Sequence, residues 1–223
     1  MNFTPAKESR FLVWFFDQYT RWLIKRRFKS VWIKQSYLPN RDSKTVYFPN
    51  HNMWWDGLLP LYLSRKFFNQ PVRAMMEDTQ IKKYKFFPKI GAFSVNLSDS
   101  RSVLKSLRYA IKCMERDRAC LFIYPEGELT PISDSKPTFK KGLAWLFKEM
   151  GSTVDFVPIA FYSHTFRDDK PELYINIGDP IELDSSLSKE KLTAEFEIAV
   201  HQLLVETRKV AGFGEEGFTR IRN

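Results

Sequence analysis

From Thr45 onward, short β-rich runs alternate with stretches of helical periodicity, a pattern that admits few architectures. The runs are TVYFP (45–49), PVRAMM (71–76), GAFSVN (91–96), ACLFIYP (119–125), TVDFVPIAF (153–161) and ELYINIG (172–178). Between them, Val103, Leu104, Leu107, Ala110, Ile111 and Met114 fall on one helical face, with Asp99 or Ser100 placed to cap it. Leu143, Leu146, Phe147 and Met150 mark another helix, and Leu192, Phe196, Ala199, Val200 and Leu203 a last one. Such alternation predicts an α/β fold with a largely parallel central sheet. No internal repeat or low-complexity linker interrupts it, so the chain divides into an N-terminal helical element (1–43) and one α/β domain (44–223).

The N-terminal element sets the choice of partners. Residues 1–89 carry 17 Lys/Arg against 6 Asp/Glu, whereas residues 90–223 carry 18 against 20. A basic first part suits nucleic acid, anionic lipid headgroups or a phosphorylated substrate. In FLVWFFDQYTRWLIKRR (11–27), Leu12, Phe15, Phe16, Tyr19, Trp22 and Leu23 share one side at helical spacing, and Arg21, Lys25, Arg26 and Arg27 crowd the end. Two readings fit: an amphipathic helix packed on the protein's own core, or one lying in a membrane interface. Trp and Phe in place of Leu and Ala favour lipid, and their helical spacing is not the stacking pattern of a nucleic-acid binder. The expected partner is therefore an anionic membrane surface and no nucleic acid. No apolar run approaches the ~18 residues that span a bilayer, and the start lacks a secretory pattern. These features predict peripheral attachment to the cytoplasmic face of the cell membrane. Cys113 and Cys120, without C-x-x-C spacing, are expected as buried, reduced thiols.

The chemistry centres on FPNHNMWWDGLLP (48–60). Residues five apart in a continuous helix point about 140° away from each other, so His51 and Asp56 meet only if the chain turns between them. TVYFPN ends as a strand, Pro49 and Asn50 favour a turn, and MWWDGLLPLYL resumes with helical spacing. The loop then carries His51, and the first helical turn carries Asp56. In that arrangement the carboxylate holds one ring nitrogen and leaves the other free as a general base. His164 and Asp169 share the spacing but lack the Pro-Asn turn and the apolar continuation, so they read as surface; His201, inside the last helix, reads as structural. A nucleophile elbow G-x-S-x-G is absent, which argues against a serine hydrolase.

A further element follows about seventy residues later, where FIYPEGELT (122–130) puts Pro-Glu-Gly after an apolar strand. Together with NHNMWWD it resembles the glycerolipid acyltransferase family typified by 1-acylglycerol-3-phosphate acyltransferases. That family's motifs N-H-x-x-x-x-D, G-x-F-x-V-x-R, F-P-E-G-T-R-S and V-P-[VI] are similar, in the same order, to the stretch at His51–Asp56, GAFSVNL from Gly91, Tyr124-Pro125-Glu126-Gly127, and Val157-Pro158-Ile159. The resemblance covers roughly residues 44 to 162, and FKKGLAWL (139–146) extends it. It implies His51 as general base and Asp56 as its support, with Pro125, Glu126 and Gly127 helping to bind the acceptor. It further implies a mixed sheet wrapped by helices, an apolar tunnel for the acyl chain and an N-terminal helical element at the membrane. No cofactor or metal is implied; acyl-CoA or acyl carrier protein serves as co-substrate, and a lysolipid as acceptor. A basic membrane-binding module without catalysis is the alternative.

Two positions depart from the family. Where arginines of its second and third motifs bind an acceptor phosphate, this sequence has Leu97 and Leu129. Arg101 and Lys141, or Lys140, are the cations left to substitute. The departure predicts an acceptor without a terminal phosphate monoester, either a lysophospholipid with a full headgroup or a glycolipid-type hydroxyl.

Overall fold

The computed structural model describes residues 3–131, 133, 135–166, 168–213 and 216–221. Its centre is β2 (Thr45–Pro49), all five residues of which are buried. A strand covered on both faces is apolar at successive positions. Here Val46 and Phe48 pack into one hydrophobic cluster and Tyr47, pointing the other way, into a second. Around β2 the sheet is built from β1 (Ser30–Gln35), β3 (Val72–Glu77), β4 (Ala92–Val95), β5 (Cys120–Phe122), β6 (Asp155–His164), β7 (Glu172–Ile177) and β8 (Thr219–Arg220). Their spatial order is β4-β3-β5-β2-β6-β7-β1-β8. The strands from β4 to β6 are mutually parallel, β7 runs antiparallel to β6, β1 parallel to β7, and β8 antiparallel to β1. The sheet is therefore mixed and largely parallel, as expected.

All six anticipated strands are present. β1 was not anticipated, because SVWIKQ is short and follows a basic helix with nothing local to mark it; its register with β7, Ile33 opposite Ile175, supplies the order. β8 is likewise a two-residue edge that only its partner defines.

Helices cover both faces. α1 (Arg10–Arg27), α2 (Leu59–Leu63) and α3 (Asp78–Lys83) lie over the cluster containing Tyr47. On the opposite face lie α4 (Ser100–Met114), α5 (Gly142–Met150) and α6 (Lys189–Val210). Asp99 caps α4 by accepting the Arg101 N–H, and Ser188 caps α6 by accepting the Lys191 N–H. Phe196 of α6 is fully buried, its ring centroid 5.2 Å from that of Phe48 and 5.6 Å from that of Phe147. Gly91, ahead of β4, has φ of +108°, and a Cβ there would lie 2.6 Å from the Val72 carbonyl oxygen, so strands β3 and β4 meet as they do only with glycine. Cys113 and Cys120 are free and buried, and burial pushes both thiols up.

α1 is built in the opposite sense to a core helix. It buries Asp17 and Thr20 along with Ile24, and Arg21 Nε donates to Asp17 at 2.8 Å. Meanwhile Phe11, Trp14, Phe15, Tyr19 and Trp22 are exposed by 40% or more. The single apolar side expected from the sequence is thus split: Leu12, Phe16 and Leu23 pack on the core, while Phe15, Tyr19 and Trp22 do not. The exposed rings form a ladder, Phe11 to Phe15 to Tyr19 to Trp22, with centroids 5.9–6.4 Å apart, and Arg26 caps it over Trp22. Lys25, Arg26 and Arg27 in the last turn suit the negative end of the helix dipole.

The segment ahead of α1 fixes it to the sheet. Ser94 N–H donates to the Thr4 carbonyl and Thr4 N–H to Ser94 Oγ. Glu8 pairs with Arg73 at 2.5 Å and with Arg116 at 3.4 Å. Among the described residues no helix is long and apolar enough to cross a membrane.

Candidate active site

The site forms where β2 and β5 end. Asn50, next after β2, is buried, and its amide brackets the β6 backbone: Phe161 N–H donates to Asn50 Oδ1 at 2.7 Å, and Asn50 Nδ2 donates to the Phe161 carbonyl at 3.0 Å. Asn52 Nδ2 reaches the same carbonyl at 3.1 Å. Between these two anchors the chain presents His51 on a loop, with its side chain about one quarter exposed. A 3-10 turn, Trp54–Gly57, then carries Asp56, which is fully buried.

His51 Nδ1 and Asp56 Oδ2 are 2.7 Å apart. The same oxygen accepts the N–H groups of Asn52 at 2.9 Å and Met53 at 3.1 Å. An oxygen already accepting two backbone donors acts as an acceptor toward the ring too, so Nδ1 carries a proton and the lone pair of the neutral ring belongs to Nε2. Burial pushes the Asp56 pKa up, and the His51 hydrogen bond is the foremost influence against it. The backbone N–H groups of Asn52 and Met53 act in the same direction as His51.

Two features of the downstream turn complete the arrangement. Gly127 N–H donates to the Tyr124 carbonyl at 3.1 Å, closing a tight turn with Pro125 second and Gly127 fourth, the positions those residues favour. Tyr124 lies against His51 with ring centroids 4.5 Å apart, and its hydroxyl donates to the Asp56 carbonyl at 2.6 Å. Glu126, almost completely buried, accepts the His51 N–H through Oε1 at 2.6 Å and the Thr130 hydroxyl through Oε2. Burial pushes its pKa up, with the Thr130 hydroxyl opposing.

The structure therefore gathers His51, Asp56, Pro125, Glu126 and Gly127. Glu126 braces the His51 loop through both of its oxygens and also lines the cavity beside that loop. Arg101 sits exposed in the first turn of α4, and no hydrogen bond among the described residues ties it to this group. Lys141 points to α6, pairing with Glu190 at 2.5 Å. Lys140 is the nearer cation, since its Nζ lies 2.9 Å from where a Gly127 Cβ would be. A cavity of about 390 Å³ beside the loop is bounded by Asn52, Glu126, Thr130 and Lys140, among others. A second, of about 650 Å³, lies toward the other end of the strands. Neither is the apolar tunnel that the resemblance implies.

Sequence reasoning missed Asn50, Asn52, Thr130 and the hydroxyl of Tyr124. The Pro-Asn turn hinted at the first, but partners 111, 79 and 68 residues away cannot be read from local pattern. His164 is exposed at the end of β6, its Nδ1 2.7 Å from the Thr165 carbonyl, in keeping with a surface role. His201 lies within α6.

No curated protein matches the chain. Among solved structures, the crystal structure of the 1-acyl-sn-glycerophosphate (LPA) acyltransferase PlsC from Thermotoga maritima superposes with a TM-score of 0.66 at 16% identity, covering 89% of this chain and 80% of that one. At that identity the likeness establishes the fold. The acyltransferase family model matches residues 19–162, well over half of the chain and every element of the His51 site. The chain accordingly belongs to the acyltransferase family and is an acyltransferase.

Proposed function

We propose that this acyltransferase moves a fatty acyl group from a thioester, acyl-CoA or acyl carrier protein, to a hydroxyl of a lysophospholipid or related glycerolipid at a membrane surface. The 2.7 Å contact between His51 Nδ1 and the buried Asp56 carries the reading. His51 Nε2 takes the acceptor's hydroxyl proton as that oxygen attacks the thioester carbonyl. Collapse of the tetrahedral adduct breaks the C–S bond, and the thiolate recovers the proton from the imidazolium. Asp56 stays ionised and stabilises that imidazolium, most effectively in a site where water does not screen the pair. Glu126 and Thr130 hold the loop.

The acceptor's nature is inferred from charge. Leu97 and Leu129 stand where related enzymes carry phosphate-binding arginines, and Leu129 is 57% exposed. An apolar pair does not offset the desolvation of a phosphate monoester. The reading therefore favours acceptors whose phosphate is masked by a headgroup, or a glycolipid-type hydroxyl. The test is to incubate the purified protein with labelled acyl-CoA, or with labelled acyl-loaded acyl carrier protein, and a panel of lysolipids, and to identify products by mass. Headgroup-bearing acceptors are expected to lead; a clear preference for lysophosphatidate sinks the acceptor assignment while leaving His51 in place.

Membrane attachment is supported by the exposed rings of α1 and its basic end. The aromatic ladder runs toward the site, since Phe28, just past Trp22 and Arg26, packs on Trp55 at 5.2 Å, next to Asp56. A helix lying flat in the interface of the cytoplasmic leaflet would place the His51 loop at the same surface, where a lysolipid headgroup resides. Changing Trp14 and Trp22 to Ser is expected to weaken binding to anionic vesicles by roughly ten- to a hundredfold in a sedimentation assay, given the apolar area lost. Both indoles are more than half exposed, so folding is unaffected. Undiminished sedimentation would remove α1 from the membrane reading.

A further inference from the structure

The larger cavity, about 650 Å³, lies where α1 begins, beside the π-helical turn Ser64–Phe68 that follows α2 and the residues that lead into β3 and β5. We propose that it binds the phosphate group of an anionic lipid.

Arg10, Arg65 and Arg118 converge on this cavity from three separate segments. Their carboxylate neighbours are largely engaged elsewhere. Glu8 is held by Arg73 and Arg116, and Asp17, the carboxylate 3.9 Å from Arg65, is bound more closely by Arg21 at 2.8 Å. Asp117, exposed at the rim, is the one lining acid without a cation partner among the described residues. Arg118 Nε is buried and has no hydrogen-bond partner among the described residues. A buried guanidinium N–H left unpaired is unfavourable, and the same guanidinium lines the cavity, where a phosphate suits its remaining donors. Arg118 also holds a left-handed backbone conformation, φ +55°, which ordinary side chains avoid. The remaining polar floor needs nothing: Gln70 already accepts from Tyr47 and donates to Ser43 and Thr45.

The position selects the source of the phosphate. The exposed Phe11 and Trp14 sit beside Arg10 and Val13 in the first turns of α1, so a helix lying on a bilayer brings this cavity to headgroup depth. The site is distinct from the chemistry. His51 follows β2, whose five residues extend roughly 16 Å, and the cavity lies at the start of the neighbouring parallel strands. The inference rests on the membrane reading of α1 only for where the lipid comes from.

Arginine-selective dicarbonyl labelling of the full chain, quantified peptide by peptide, tests it with monomeric probes. Short-chain dihexanoyl phosphatidate is expected to protect Arg10 and Arg118 at a concentration at least tenfold below that of inorganic phosphate, and dihexanoylglycerol not at all. Equal protection by inorganic phosphate identifies a free-phosphate site and overturns the lipid assignment; equal protection by dihexanoylglycerol, or none by any probe, overturns the anion site altogether. Arg118→Gly supplies a folded variant, because glycine accepts the left-handed backbone: its thermal midpoint should equal or exceed that of the parent, while half-protection of Arg10 requires at least tenfold more phosphatidate. Unchanged protection in that variant also refutes the proposal. Labelling reads the Arg10–Arg118 end and lysolipid acylation reads the His51 end, so either can fail without the other.

Discussion

His51→Ala is expected to lower kcat/KM for acyl transfer by about 10²–10⁴-fold, the usual contribution of a positioned general base. The imidazole is partly exposed, and its loop is held by backbone contacts, His51 N–H to Glu126 and Thr130 N–H to the His51 carbonyl, that alanine retains. Thermal unfolding and vesicle binding should therefore stay near the parent values. His164→Ala, which removes the histidine of the other H-x-x-x-x-D spacing, serves as control and is expected to turn over normally. Full activity in His51→Ala would falsify the base assignment outright, whereas activity lost together with the thermal transition would point to a structural role instead.

The second large effect separates activity from stability. Asp56→Asn keeps an oxygen to accept the Asn52 and Met53 N–H groups but loses the charge that stabilises the imidazolium, so kcat is expected to fall by roughly 10²–10⁴-fold. Stability should move the other way. Asp56 has a folded-state pKa raised by burial above its ordinary 3.8. With the folded pKa above the unfolded one, no ionisation penalty exists below about pH 3.8; the penalty then grows as the pH rises toward the folded pKa and is constant beyond it. Relative to the Asn variant, the parent should be at its best in acid and lose ground toward neutrality. Urea unfolding of both proteins from pH 3 to 7 measures this difference. A parent that gains on the variant with rising pH contradicts the sign and means that hydrogen bonds to the carboxylate, not its burial, dominate.

The strands and the site differ in how much of them local pattern could reveal. β2, β3, β5 and β6 are buried on both faces or nearly so, and such strands announce themselves as apolar β-branched and aromatic runs. β1 carries the same kind of residues but is ordered by β7, 142 positions away in the chain at Ser30 and Glu172, a pairing no window of sequence contains. In the site, the turn between His51 and Asp56 was deducible because Pro49-Asn50 breaks a strand before a helical period resumes. The bracing contact of Glu126 was not, because its Oε1 is claimed by the His51 N–H, 75 residues away, a contact that exists only once β2 and β5 lie side by side.

What the sequence by itself determined was the alternating α/β pattern, the His51–Asp56 relation and the acyltransferase family, since each is written in residue order over short spans. Only the tertiary structure decided which face of α1 stays bare and which cations reach which site. Both depend on what packs against a side chain, and a helix wheel drawn from sequence holds no information about the neighbour: Asp17 and Thr20 turned inward, five aromatic rings turned out, and Lys141 went to Glu190 while Arg118 went to a cavity.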